Sequence, residues 1–159
     1  GTGTTTLGKK LAEQLGWEFK APASEFFRTQ FEGRIHEYHA ADDTLDKHID
    51  ALVEKELKIV RTVVFEGRMV GYLAKDLPDV LKILLTTALK TRLKRALQRD
   101  PHESKQTILK RDREEEEKYE RIYGINPFEE RFYDLVISND TITIDKEVTM
   151  ILERLGHYG

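Results

Sequence analysis

Three short, nearly unbroken apolar runs constrain this chain more than anything else in it: "TVVFEG" (Thr62–Gly67), "VLKILLTT" (Val80–Thr87) and "DLVISN" (Asp134–Asn139). A strand with one wet face alternates apolar and polar residues, and these do not alternate. They are rich in β-branched and aromatic residues, so each reads as a strand buried on both faces. Helical periodicity fills the chain between them. Strands and helices taken in turn predict an α/β fold, a mainly parallel sheet between two helical layers. At 159 residues the chain is long enough for one compact domain and marginal for two.

The helices can be placed from spacing. Leu7, Leu11 and Leu15 recur every fourth residue, which predicts a helix over Thr5–Gln14 closed by Gly16. "WEFKAP" (Trp17–Pro22) is a further short strand. Residues 24–57 are helical in pattern but charged, with a turn at Asp42–Asp43–Thr44. Helices are also predicted over Ala88–Gln98, over Glu103–Ile122 with a stop at Gly124, and over Asp145–Leu155. No internal repeat or low-complexity linker divides them.

Composition excludes several classes. The 26 basic and 29 acidic residues interleave to a net charge of −3, which gives none of the basic field that nucleic-acid binding needs. There is no cysteine, hence no disulfide framework and no thiolate metal site. No apolar run approaches the ~20 residues of a membrane span. The expectation is a cytoplasmic domain, acting as a monomer, with neither nucleic acid nor a membrane as partner.

The chain opens on "GTGTTT" (Gly1–Thr6), directly before the first helix. A phosphate loop works because glycine frees successive backbone N–H groups to point at an anion at a helix start. Its pattern is G-x-x-x-x-G-K-[ST], with lysine on the outer phosphates and the hydroxyl on Mg²⁺. Gly3 takes the second glycine position, Thr4 the lysine position and Thr5 the hydroxyl position. Three threonines at a helix start also serve simply as caps.

Arginines stand at element ends around this loop: Arg28, Arg68 just after Glu66–Gly67, Arg92 with Arg95, and Arg111 with Arg113. Phosphoryl transfer asks a protein mainly for positioning and positive charge, and guanidinium forks supply both. "KRDREEEEKYERIYG" (Lys110–Gly124) admits two readings. It is a solvated helix laced by pairs such as Glu114–Lys118 and Glu117–Arg121, or its arginines reach phosphate while its glutamates face water. His36 and His39 read as surface residues, since no third metal ligand is in view.

Taken together and in order, "GTGTTT", "KKLAEQLG", "SEFFR", "VVFEGR", "TTALKTRLKR", "RDREEEEKYERIYGIN" and "YDLVISND" resemble the archaeal-type cytidylate kinases. These are nucleoside-monophosphate kinases of the P-loop NTPase fold, and the likeness runs over nearly the whole chain. The family carries a threonine triplet where most P-loops have lysine.

The resemblance implies a three-layer α/β/α domain over residues 1–159, with a helical acceptor-binding insert at 24–57 and a lid at 100–126. It implies transfer of the γ-phosphoryl of ATP to CMP or dCMP with Mg²⁺. Gly1, Thr2, Gly3, Thr4, Thr5 and Thr6 would cradle the ATP phosphates. Thr5 and Glu66 would hold the metal. Arg28 and Arg68, with Asp46, would hold the acceptor, and Arg92, Arg111 and Arg113 would close over the transferring group. An AMP or UMP acceptor, or a catalytically silent nucleotide-binding module, stays open as an alternative.

The chain departs from the family at Ser24–Glu25, where Gly-Asp is usual, and at Ala51 and Leu52, where arginines are expected. Both departures bear on acceptor specificity. The fold also implies a central first strand ahead of the loop, without which neighbouring strands would leave buried N–H and C=O groups unpaired at about 1–3 kcal/mol each. The expectation is that the natural chain starts about seven to ten residues earlier, a strand and the loop's first glycine.

Overall fold

The structure, a computed structural model, describes residues 3–31, 43–59 and 61–156, and of 27–31 the backbone alone. Helix α1 (Thr4–Leu15) leads to strand β1 (Glu18–Lys20), then α2 (Pro22–Phe31) and α3 (Asp43–Leu57). Next come β2 (Val63–Phe65), the short α4 (Val70–Leu73), β3 (Ile83–Thr86), α5 (Leu89–Arg99) and the long α6 (Lys105–Tyr123). A 3₁₀ turn (Glu130–Phe132), β4 (Leu135–Ser138) and α7 (Ile144–Gly156) complete the order.

Every predicted strand is present and parallel, but not in one sheet. Among the described residues, β1 pairs only with β2 (Phe19 opposite Val64) and β3 only with β4 (Leu85 opposite Ile137). The mainly parallel arrangement expected from the sequence is present among the described residues as two two-stranded sheets. Helix α1 spans between them. Its Leu7 and Leu11 are buried with Leu85, Ile137 and, from α7, Val148 and Ile151, while Val64 of β2 packs against the same cluster. Burial of this apolar surface at roughly 25 cal/mol per Å² drives the assembly.

A second cluster forms where α3 buries Ile49, Val53 and Leu57 against Ala74, with Phe26, Phe65 and Leu73 around them. Their four-residue spacing gives α3 one dry stripe and leaves its other side charged. Gly8 lets α1 approach β1 closely, since a Cβ there would sit 2.7 Å from Phe19 Cε2. Pro22 opens α2, where its missing N–H has no helical partner to lose. Gly124, at φ 67°, ends α6 in the left-handed region.

Candidate active site

The site is built where the N-terminus of α1 meets the C-terminal end of β2. Gly3 precedes α1 at φ 79°, a conformation that side chains rarely adopt, and its carbonyl accepts the Leu7 N–H at 3.1 Å. Thr5 and Thr6 are exposed at this helix start. The Thr4 hydroxyl donates to Glu66 Oε1 at 2.9 Å, tying the first turn of α1 to the residue after β2. Glu66 N–H continues the sheet ladder to the Lys20 carbonyl at 2.9 Å, which fixes where that carboxylate stands. The residue at the lysine position of the loop thus bonds to the residue expected to hold metal, while the Thr5 hydroxyl faces outward. Gly1 and Thr2 of the expected loop lie outside the described residues.

Arg68 follows two residues after Glu66 and pairs with Glu115 of α6. One turn before Glu115, Asp112 takes a two-pronged bond from Arg92 of α5, Nη1 to Oδ2 at 2.8 Å and Nη2 to Oδ1 at 2.7 Å. That guanidinium bond holds the Asp112 carboxyl below the usual carboxylate range, with the charges of Arg68 and Arg111 adding to it. Arg111 itself pairs with Glu103, at the entry to α6. Three of the predicted arginines, Arg68, Arg92 and Arg111, are thus each paired with an acid of α6 or of its entry, Glu115, Asp112 and Glu103. Arg113 lines a separate groove on another face of α6 with Glu116, Glu117, Arg121, Ile125 and Asn126. Arg28 is on α2 with its side chain outside the described residues, and so are His36 and His39.

Helix α3 reaches α6 by three acids on one edge. Asp43 accepts from Arg121 Nε and Nη2 at 2.6 and 2.7 Å, Asp46 pairs with Lys118 at 3.3 Å, and Asp50 accepts from the Tyr123 hydroxyl at 2.6 Å. The reading of Lys118 and Arg121 as partners of Glu114 and Glu117 within their own helix is corrected: both cross to α3. Asp46, expected at the acceptor, is here engaged by Lys118 and largely buried.

At the C-terminal ends of β3 and β4, the Thr87 hydroxyl donates to Asn139 Oδ1 at 2.6 Å, and Ala88 N–H at the start of α5 donates to Asp140 Oδ1 at 2.9 Å. The Asp140 carboxyl is lowered first by that backbone bond. Arg95 Nη2 donates to the Asn139 carbonyl at 3.4 Å, so this member of the arginine set braces a loop.

Sequence reasoning missed Asp112, Glu115 and Glu103 as partners of the arginines. A signal was present. Ile108, Asp112, Glu115 and Tyr119 recur at helical spacing, and Ile108 and Tyr119 are buried, so the two acids share the inward stripe of α6.

This chemistry has relatives. Residues 18–141 match the Cytidylate kinase-like family. The chain is 31% identical over 150 residues to a cytidylate kinase of Methanosarcina barkeri and 32% over 152 residues to one of Methanosarcina mazei, each match spanning 88% of this chain and 83% of the relative. A cytidylate kinase of Methanobrevibacter smithii is 30% identical over 98% of this chain and 93% of its own. In fold alone, the chain is similar to a crystal structure of an uncharacterized protein from Eubacterium ventriosum, at TM-score 0.70 and 20% identity, covering 98% of this chain and 92% of that one. An α/β phosphotransferase is the class these observations define. The chain belongs to the cytidylate kinase-like family and is a nucleoside-monophosphate kinase.

Proposed function

We propose that the protein transfers the γ-phosphoryl of ATP to CMP or dCMP, on a P-loop architecture whose loop is Gly1–Thr6. The observation that carries the reading is the pairing of Arg92 and Arg68 with Asp112 and Glu115 on the inward stripe of α6, Arg68 standing two residues after the Glu66 that Thr4 ties to the α1 start. A phosphoryl group in flight spreads charge over its oxygens, and preformed guanidinium forks stabilise it without reorganising.

Each part has a role. The N–H groups at the start of α1 bind the donor phosphates. Arg68, with Arg28, grips the acceptor monophosphate, and Asp46 of the insert borders the acceptor. Arg92, Arg111 and Arg113 close over the transferring group and supply the charge that a loop lysine supplies elsewhere. Glu66 and Thr5 offer carboxylate and hydroxyl oxygens, the hard donors that Mg²⁺ prefers, and this ion needs only one or two protein oxygens when phosphates provide the rest. Bound there, Mg²⁺ neutralises phosphate charge. The lack of a membrane-crossing helix among the described residues supports a cytoplasmic enzyme.

An assay that couples ADP release to NADH oxidation tests the reading, with ATP and Mg²⁺ against CMP, dCMP, UMP, AMP and GMP. Turnover with CMP or dCMP well above the others is the expected result. A preference for AMP or UMP moves the specificity and keeps the chemistry. A folded protein with no turnover on any acceptor makes it a nucleotide-binding module.

A further inference from the structure

The arginines that the proposed reaction needs are already occupied. Arg92 commits both Nη groups to the two oxygens of Asp112, at 2.8 and 2.7 Å. Those are the donors that a phosphoryl group would take, because a carboxylate edge and a phosphate edge present the same pair of acceptors to a guanidinium fork. Arg68 is bound through one Nη to one oxygen of Glu115, the next acid on the same stripe of α6.

The two pairs are not symmetrical in their surroundings. The Arg68 side chain is 70% exposed, while that of Glu115 is 17% exposed. The acid is anchored in the protein and the arginine reaches in from solvent. Glu115 Oε1 is moreover buried without a hydrogen-bond partner, so this carboxylate is incompletely satisfied where it stands. Asp112 and Glu115 lie three residues apart, one helical turn, on the stripe of α6 that also carries the buried Ile108 and Tyr119. Two arginines and two acids make the cluster neutral. A dianionic phosphate arriving among the four meets cations whose charge is already cancelled.

We propose that Asp112 and Glu115 are internal phosphate surrogates. They hold Arg92 in a forked pair and Arg68 by a single bond in the nucleotide-free protein and surrender them to a nucleotide phosphate. The inference rests on the kinase reading of the site and adds two positioning residues to it. It makes α6 an exchange element: its inner acids compete with the substrate for the same guanidinium groups, so they tune affinity downward.

The test uses Asp112→Asn and Glu115→Gln in the full chain, with inorganic tripolyphosphate and CMP as probes in isothermal titration calorimetry. Each neutral amide keeps the shape of the acid and removes its charge. Loss of an exposed ion pair as competitor should tighten the Kd for tripolyphosphate about two- to fivefold. In turnover, KM for the acceptor should fall while kcat does not rise, and Asp112→Glu should return the affinity toward that of the unaltered protein. Unchanged or weaker tripolyphosphate binding would mean that the pairs persist in the complex or merely brace the helix, and the proposal would be wrong.

A measurement on the unaltered protein guards against variants that fail to fold. The carboxyl ¹³C signals of Asp112 and Glu115 are followed through an acid titration with and without tripolyphosphate. Release of Arg92 predicts that Asp112 titrates closer to an ordinary aspartate once tripolyphosphate is bound; an identical titration overturns the proposal. Tripolyphosphate needs no catalysis to bind. A protein that turns over no nucleotide, yet binds this probe more tightly in both amide variants, sinks the kinase reading alone and sustains the surrogates.

Discussion

The Tyr123 hydroxyl donates a 2.6 Å hydrogen bond to the Asp50 carboxylate and thereby joins the last turn of α6 to the middle of α3. Burial pushes the Asp50 carboxyl above its ordinary value, and the Tyr123 bond works against that rise. A carboxyl raised in the folded state favours folding most below its unfolded pKa of 3.8, and that contribution is lost as pH climbs through the higher folded value. Tyr123→Phe removes the one donor that eases ionisation. It should destabilise the protein by about 1–3 kcal/mol at neutral pH and by less at pH 4. Asp50→Asn should flatten the dependence. Urea midpoints for the parent and both variants from pH 4 to 7 check this, and parallel curves for all three would remove Asp50 from the account.

Gly71 stands where a side chain has no room. A Cβ there would lie 2.2 Å from Cε1 and 2.6 Å from Cζ of Tyr133. The ring cannot swing away freely, because its hydroxyl donates to the Pro127 carbonyl at 2.9 Å, and burial raises that phenol to about 12. Gly71→Ala should therefore cost about 1–3 kcal/mol by overpacking, read as a lower unfolding midpoint. Tyr133→Leu in the same chain should recover part of it. Additive losses would show that the two positions do not touch.

The strands and the longer helices were legible to within a few residues, because burial on both faces and four-residue spacing are written directly into side-chain identity. The short α4 and the 3₁₀ turn were not, and the part of the helical pattern over 32–42 lies outside the described residues. What joins to what was not. Nothing in "TVVFEG" or "VLKILLTT" says that β2 and β3 belong to different sheets, since backbone pairing leaves no mark on composition. The glutamate run shows the limit most clearly. Local rules pair Glu114 with Lys118 and Glu117 with Arg121, each worth only a few tenths of a kcal/mol, whereas Asp46 and Asp43 on α3 offer partly buried partners across the interface. The tertiary partners win. Likewise the arginines were recognisable as a set, but their acids were hidden inside a stretch that reads as solvent-facing.

Glu66 is held by Thr4 and by its own place in the sheet ladder. Glu66→Gln keeps the size and one acceptor oxygen but removes the charge. If this carboxylate serves the metal, activity should fall at least ~10-fold and be partly regained at high Mg²⁺, since outer-sphere partners of a metal typically contribute 10- to 100-fold. A titration of initial rate against Mg²⁺ separates the cases. A uniform loss at every Mg²⁺ concentration would assign Glu66 to holding the α1 start instead.

The arginines differ in what their replacement should reveal. Arg92 is bound to Asp112, and Arg111, the neighbour of Asp112 in the chain, to Glu103. In the proposed mechanism both close over the transferring group, and Arg92→Ala and Arg111→Ala should each lower kcat by ~10²-fold or more, by analogy with the 10³–10⁵ of an arginine finger. Arg113 lines another groove of α6 and reaches the transferring group only if that helix turns or swings on nucleotide binding. Arg113→Ala is thus a report on lid movement. A fall in kcat comparable to the other two is expected, with KM for the acceptor changed much less, because a lid group acts in the transition state and not on the waiting substrate. Turnover unchanged in Arg113→Ala but lost in Arg92→Ala would mean that α6 keeps its present face toward the site throughout the cycle, and that two lid arginines carry the charge alone.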